Sequence, residues 1–307
     1  MKKIAISIGD INGIGLEIAL KAHNEIREFC KPIYCINEVM LHWGAAMLGM
    51  EVPKKFKIKE CGESFEIKPG IATKESGELS YDSFITAIAL EKNKKADAIV
   101  TLPINKEAWS MAGVRYKGHT DALSDLLGCE TIMMLGCSEL FVTLYTHHIP
   151  LKDVAKTIQP KPLLKFLLKI AHFIDSKQIG VLGLNPHAGD GGVIGDEERV
   201  IFKAIKKANK TLKKELFYGP LVPDTAFTKE SIESFEHFVC MYHDQGLIPL
   251  KALYFNESIN VTLNSAIIRT SPDHGTAYDK AYKRADISTK SYINAVKEAV
   301  KLAEKSS

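Results

Sequence analysis

Cysteine is present without any pairing pattern. The six cysteines (Cys30, Cys35, Cys61, Cys129, Cys137 and Cys240) include no CxxC and no metal-finger spacing, which argues against a disulfide-stapled or zinc-finger fold and fits reduced thiols. Long apolar runs are missing too, since none reaches the ~18 uninterrupted residues of a membrane span. No charged stretch followed by an apolar core marks a signal peptide. These absences lead us to expect a soluble, cytoplasmic protein. An excess of one charge is also lacking, with 40 Lys+Arg against 37 Asp+Glu and a net charge of +3. Lys203, Lys206, Lys207, Lys210, Lys213 and Lys214 read as one solvated helix face, not a nucleic-acid footprint. Neither nucleic acid nor membrane is an expected partner. There is no internal repeat, low-complexity tract or obvious linker, and 46% hydrophobic with 25% charged residues is ordinary globular composition.

What the chain does have is alternation. "KIAISIGD", "ADAIVTLP", "QIGVLGLNP", "FVCMYHD" and "SINVTL" are short apolar runs that end in polar turns. Amphipathic stretches such as "GIGLEIALKAHNEIREF", "KPLLKFLLKIAHFIDS" and "TKSYINAVKEAVKLAEK" fall between or after them. "TIMMLGC" and "LFVTLYTHH" read as adjacent strands with a tight connection. Strand–helix alternation of this kind predicts an α/β protein with a mostly parallel sheet.

Parallel α/β sheets bind ligands at the carboxyl ends of their strands, so the polar residues just past each run carry the information. They are Asp10, Asn105, Lys106, His147, His148, His187, His243, Asp244, Asp273 and His274. Five of the ten histidines of the chain stand among them. Neutral imidazole is a common ligand for divalent metals, and three protein ligands with an open position suit a catalytic ion. His148, His187 and His243 each follow a strand-like run, but their spacing is unspecific, unlike a HExxH helix. "GLNPHAGDGG" reads either as a ligand mount or as a helix-capping loop with a surface histidine. "GDGGVIGDEE" could hold a phosphate on its backbone N–H groups or simply start a helix. The glycines of "GDINGIGLEI" do not match GxGxxG, so that turn carries little weight alone. His119 and Thr120 of "GHTDAL" stand at a predicted helix N-terminus, an anion-friendly place. Lys251, Asn260 and Arg269 follow His243, and a lysine and an arginine near a metal would suit a substrate with carboxylate and phosphate groups.

Taken in order, "GHTDAL", "THHIPLKDV", "GLNPHAGDGGVIGDEE", "GPLVPDTAF", "MYHDQGLIPLK", "INVTL" and "IRTSPDHGTAYDKA" resemble the PdxA family of pyridoxal phosphate biosynthesis, the 4-hydroxythreonine-4-phosphate dehydrogenases. The resemblance runs from the first strand to the last helix. It implies a two-lobed α/β/α subunit with a mostly parallel sheet, akin to isocitrate and isopropylmalate dehydrogenases. Residues 1–118 and 271–307 would form the first lobe, and 119–270 the second, with the metal and substrate residues. It also implies a homodimer with its site at the interface, NAD or NADP as cofactor, and one divalent ion (zinc, magnesium or cobalt). Carried over by motif, the metal ligands fall on His148, His187 and His243. His148 takes precedence over His147 because it directly precedes Ile149-Pro150-Leu151. The family's substrate contacts fall on His119, Thr120, Lys251, Asn260 and Arg269. The wider fold places His274, Gly275 and Thr276 beside the adenosine half of the cofactor. Asp224 and Asp244 are candidates for the general base by motif position.

The implied reaction oxidises 4-phosphooxy-L-threonine to 2-amino-3-oxo-4-(phosphonooxy)butanoate, which decarboxylates to 3-amino-2-oxopropyl phosphate. Two other readings stay open at this point. One is a sister dehydrogenase acting on 4-phospho-threonate or -erythronate; the other is a hydrolase using the same three histidines and a zinc-bound water. The chain departs from the family at its first turn, where Ile11, Asn12 and Leu16 replace the usual GDPAGIGPE residues, and at Thr101-Leu102-Pro103 in place of TGP.

Overall fold

The computed structural model describes residues 1–263 and 266–305. It divides into two compact units, one of residues 1–131 with 259–307 and one of residues 132–258. The first unit begins with β1 (Lys3–Ser7), α1 (Gly15–Ile26), β2 (Lys31–Cys35), α2 (Glu38–Leu48), β3 (Ile58–Lys59), α3 (Lys74–Lys92), β4 (Ala98–Thr101), α4 (Lys106–Met111) and α5 (His119–Leu127). The second unit contributes β5 (Ile132–Cys137), β6 (Leu140–Leu144), α6 (Leu151–Thr157), α7 (Pro160–Ile170), β7 (Ile179–Leu182), α8 (Glu197–Leu212), β8 (Phe217–Leu221), α9 (Lys229–Phe235), β9 (His237–Cys240) and α10 (His243–Tyr254). The chain then returns to the first unit through β10 (Ile259–Leu263), β11 (Arg269–Pro272) and α11 (Lys290–Lys305).

In the first unit the strands lie in the order β3-β2-β1-β4-β11-β10. All pair in parallel except the β10–β11 hairpin. In the second unit the order is β5-β6-β9-β7-β8, parallel except for β5–β6. A parallel strand is covered on both faces, which explains why β4 and β7 are buried along their whole length and read as continuous apolar runs. The helices between them bury one stripe each. In α8, for example, Ile201, Ala204, Ile205 and Ala208 face inward at helical spacing. Two starts follow local rules: Thr73 and Ser76 cap α3 reciprocally, and Pro160 opens α7.

The boundaries differ from those that the sequence suggests. The first unit runs to residue 131 and resumes at 259, not to 118 and from 271. Ala122 and Leu123 of α5 belong to a core built by Phe84, Trp109 and Ile99, and β10 is the hairpin partner of β11, which pairs with β4. His119, Thr120, Asn260 and Arg269 therefore lie in the first unit. The second unit closes over its own core of Leu135, Val142, Leu182, Phe238, Leu247 and Leu250. No helix among the described residues is long and apolar enough to cross a membrane.

Candidate functional site

Arg269 opens β11 with only 3% of its surface exposed. Its Nε and Nη2 donate to Thr101 Oγ1 at 3.1 and 2.7 Å, and Nη1 donates to Thr262 Oγ1 at 3.2 Å. Nη2 also donates to His119 Nδ1 at 3.4 Å. No carboxylate is among these partners. Burial pushes the guanidinium down to about 9, which leaves it charged at neutral pH. A buried cation held only by hydroxyls and an imidazole is uncompensated.

His119 begins α5 inside an aromatic cage, with ring centroids 4.8 Å from Phe84 and 5.4 Å from Trp109. Because Nδ1 accepts from Arg269, the ring proton stands on Nε2, and that atom is buried without a partner among the described residues. Burial first, and the Arg269 charge second, hold His119 well below the usual imidazole range, so it is neutral at pH 7. Thr120 follows in the same first helical turn, half-buried. Asn260 pairs with Ser271 across the hairpin as Thr262 pairs with Arg269, so it shares their sheet face. Its Oδ1 is buried without a partner among the described residues. The first unit thus presents a guanidinium and an orphaned imidazole N–H in one buried place, chemistry suited to an anion.

The second unit gathers histidines. β6, β9 and β7 are neighbours and run in parallel. His148 follows β6, His243 follows β9 and His187 follows β7, so all three stand past the carboxyl ends of adjacent strands. The rings of His148 and His243 are 5.7 Å apart between centroids. Two imidazoles sharing one metal at ~2 Å from each nitrogen would have centroids about 5 Å apart. His243 Nδ1 donates to Asp244 Oδ1 at 2.7 Å, which leaves Nε2 as the lone-pair nitrogen, the usual support for a metal-binding imidazole. His147 stands beside the pair, 5.0 Å from the His148 ring. Its Nδ1 is buried without a partner, and burial, then His148 and His243, lower its pKa.

His187 is not drawn into this cluster. It is exposed and occupies a left-handed turn with φ 53°, and no three His, Cys, Asp or Glu side chains converge among the described residues. The donor chemistry and the strand ends fit a divalent ion, with two of the three histidines already side by side and the third on the adjoining strand end. The turn that carries His187 is held from below. Glu198, 7% exposed, accepts from Leu184 N at 2.8 Å, Asn185 N at 2.7 Å and Asn185 Nδ2 at 2.9 Å. Lys251 lies on α10, its Nζ 5.5 Å above the Phe255 ring. Asp224 is exposed in the turn after β8.

Sequence reasoning set His147 aside in favour of His148 and gave no role to Glu198, Asn185, Thr101 or Thr262. The doubled histidine and the acidic start of α8 were visible signals for the first two. The others are ordinary strand or turn residues until strand order brings them to their partners.

Residues 28–299 match the family model described as pyridoxal phosphate biosynthetic protein PdxA. The chain is 56% identical to a 4-hydroxythreonine-4-phosphate dehydrogenase of Sulfurimonas denitrificans, over 99% of this chain and 98% of that one. It is 57% identical to the protein of that description from Campylobacter fetus, over 99% of both chains. The crystal structure of the Klebsiella pneumoniae 4-hydroxythreonine-4-phosphate dehydrogenase superposes with a TM-score of 0.85 at 30% identity, covering 99% of this chain and all of that one.

Proposed function

Since the chain belongs to the PdxA family of pyridoxal phosphate biosynthetic proteins, we propose that it oxidises 4-phosphooxy-L-threonine at its secondary hydroxyl. The product, 2-amino-3-oxo-4-(phosphonooxy)butanoate, loses carbon dioxide to give 3-amino-2-oxopropyl phosphate. A dehydrogenase family implies a nicotinamide cofactor; whether NAD or NADP serves is part of the test below.

One observation carries the reading: a buried arginine whose hydrogen-bond partners among the described residues include no acid. Arg269 and the Nε2–H of His119 receive an anionic group of the substrate, which supplies the missing counter-charge. Thr120, Asn260 and Lys251 complete the proposed substrate contacts, as the family resemblance suggests. His148, His187 and His243 would hold the divalent ion, with Asp244 fixing the tautomer of His243. A bound divalent ion would make the substrate hydroxyl more acidic, and a bound nicotinamide would take the hydride from the carbon that carries that hydroxyl. His274, Gly275 and Thr276 form the proposed cofactor segment. Gly275 has no atom within 4 Å of where a Cβ would stand, so the backbone there is open to a ligand. In this reading Asp244 orients His243, and Asp224 remains the candidate base. The working unit is a homodimer with its site at the interface.

The test is a panel of phosphorylated hydroxy acids with NAD and NADP, followed at the NADH absorbance after adding zinc, magnesium or cobalt. Turnover is expected with 4-phosphooxy-L-threonine. Turnover with 4-phospho-threonate or -erythronate alone would move the protein to a sister activity, and product without cofactor reduction would make it a hydrolase.

A further inference from the structure

One buried acid takes no part in either cluster. Asp10 follows β1 and has no exposed surface. Its Oδ2 accepts the Tyr278 hydroxyl at 2.7 Å and the Ser76 hydroxyl at 3.3 Å, and Oδ1 accepts Asn12 N–H at 2.9 Å. These donors come from three separate stretches: the β1–α1 turn, the first turn of α3, and the segment between β11 and α11. That last segment is tied to the turn twice more. Ile14 N donates to Thr276 O at 3.0 Å, and the Tyr282 hydroxyl donates to Ile11 O at 2.9 Å. The backbones touch closely, since a Cβ on Gly13 would stand 2.7 Å from Thr276 O.

The tied segment has no regular structure between Pro272 and Lys290, and Ala277 and Tyr282 hold φ of 42° and 59°. Without a helical or strand ladder, its shape depends on side-chain anchors. A buried carboxylate is a poor choice if adhesion were the only need, because apolar packing would serve that at lower desolvation cost. What the anchor gains is direction. Tyr278 stands two residues beyond Thr276, and open Gly275 directly precedes Thr276.

We propose that Asp10 is a positioning residue for the dinucleotide: through Tyr278 it fixes the backbone of residues 274–276 in the form that receives the cofactor. This rests on the reading of that segment as the cofactor loop. Cofactor affinity, not substrate affinity or the chemical step, is then the quantity that depends on Asp10.

The experiment measures the NADH dissociation constant of the full chain by fluorescence titration, with thermal melts alongside. Tyr278→Phe removes one hydroxyl and keeps the ring. It should weaken NADH binding about fivefold, the size of one ordinary net hydrogen bond. At saturating cofactor, kcat and the substrate KM should stay within about twofold. Asp10→Asn, whose amide can still meet the tyrosine hydroxyl, should fall between wild type and Tyr278→Phe. Gly275→Leu tests the underlying reading, since it fills space that the fold leaves empty and should block NADH while leaving the melt unchanged. If Gly275→Leu binds NADH normally, the segment is not the cofactor loop and the proposal goes with it. If Gly275→Leu weakens binding and Tyr278→Phe does not, the loop reading stands and the role of Asp10 is overturned. A loss in Tyr278→Phe spread equally over NADH binding, substrate KM and kcat would mark general damage and also overturn it.

Discussion

Arg269 and His119 show how far single residues could be read. Motif order singles out both, yet nothing local in "GHTDAL" or "IIRTSPDHG" says that the two side chains meet, 150 positions apart. Their contact depends on α5 packing into the first unit and on β11 pairing with β4. Thr101 and Thr262 were illegible for the same reason, because a strand threonine acquires a role only from its neighbour. The pair has a consequence for pH. His119 is held well below 6.5 by burial and then by Arg269, so in the range below 6.5 the unfolded chain binds a proton that the folded chain refuses. Stability therefore falls as pH drops through that range, by up to about 1.4 kcal/mol per pH unit for one group. Melts between pH 7.5 and 5 should show a steeper decline for wild type than for His119→Asn, which cannot titrate. Parallel profiles would remove His119 from the acid sensitivity.

At the scale of elements, the rule that ligands gather at strand ends pointed to the histidines, and alternation alone found most strands. Neither could tell that β6, β9 and β7 are neighbours, because strand order leaves no mark on a single apolar run. The boundary between the compact units differs from the expected one for a related reason. The apolar positions of α5 look the same whichever core they enter. The turn that carries His187 runs left-handed from His187 to Gly191, with φ between 44° and 77°, a costly path for residues with side chains. Glu198 holds its base by taking three N–H groups. Glu198→Ala leaves the Leu184 and Asn185 backbone N–H groups without that acceptor and should cost about 3 kcal/mol. It should also weaken metal binding through His187, read as zinc affinity by chelator competition. Glu198→Gln keeps the shape and one acceptor oxygen, and should lose less on both counts. Unchanged zinc affinity in a folded Glu198→Ala protein would separate this turn from the metal site.

At the scale of the whole chain, the proposed ligands divide between the units. The anion-seeking groups Arg269 and His119 belong to the unit formed by residues 1–131 and 259–307, and the three proposed metal ligands belong to 132–258. A ligand that binds only the folded form slows exchange most where it holds the backbone. Hydrogen exchange of the full chain should therefore give two distinct footprints. Zinc should protect the start of α10, the segment after β6 and the turn at Pro186–Gly192, because those backbones carry His243, His148 and His187. Inorganic phosphate without metal should protect the first turn of α5 and the start of β11 instead. The metal footprint should disappear in His148→Ala while the phosphate footprint persists, and Arg269→Ala should do the reverse. Zinc protection confined to residues 1–131 would show that the histidine cluster is not the metal site. Phosphate protection that survives Arg269→Ala would show that the uncompensated arginine is answered by something other than an anionic ligand.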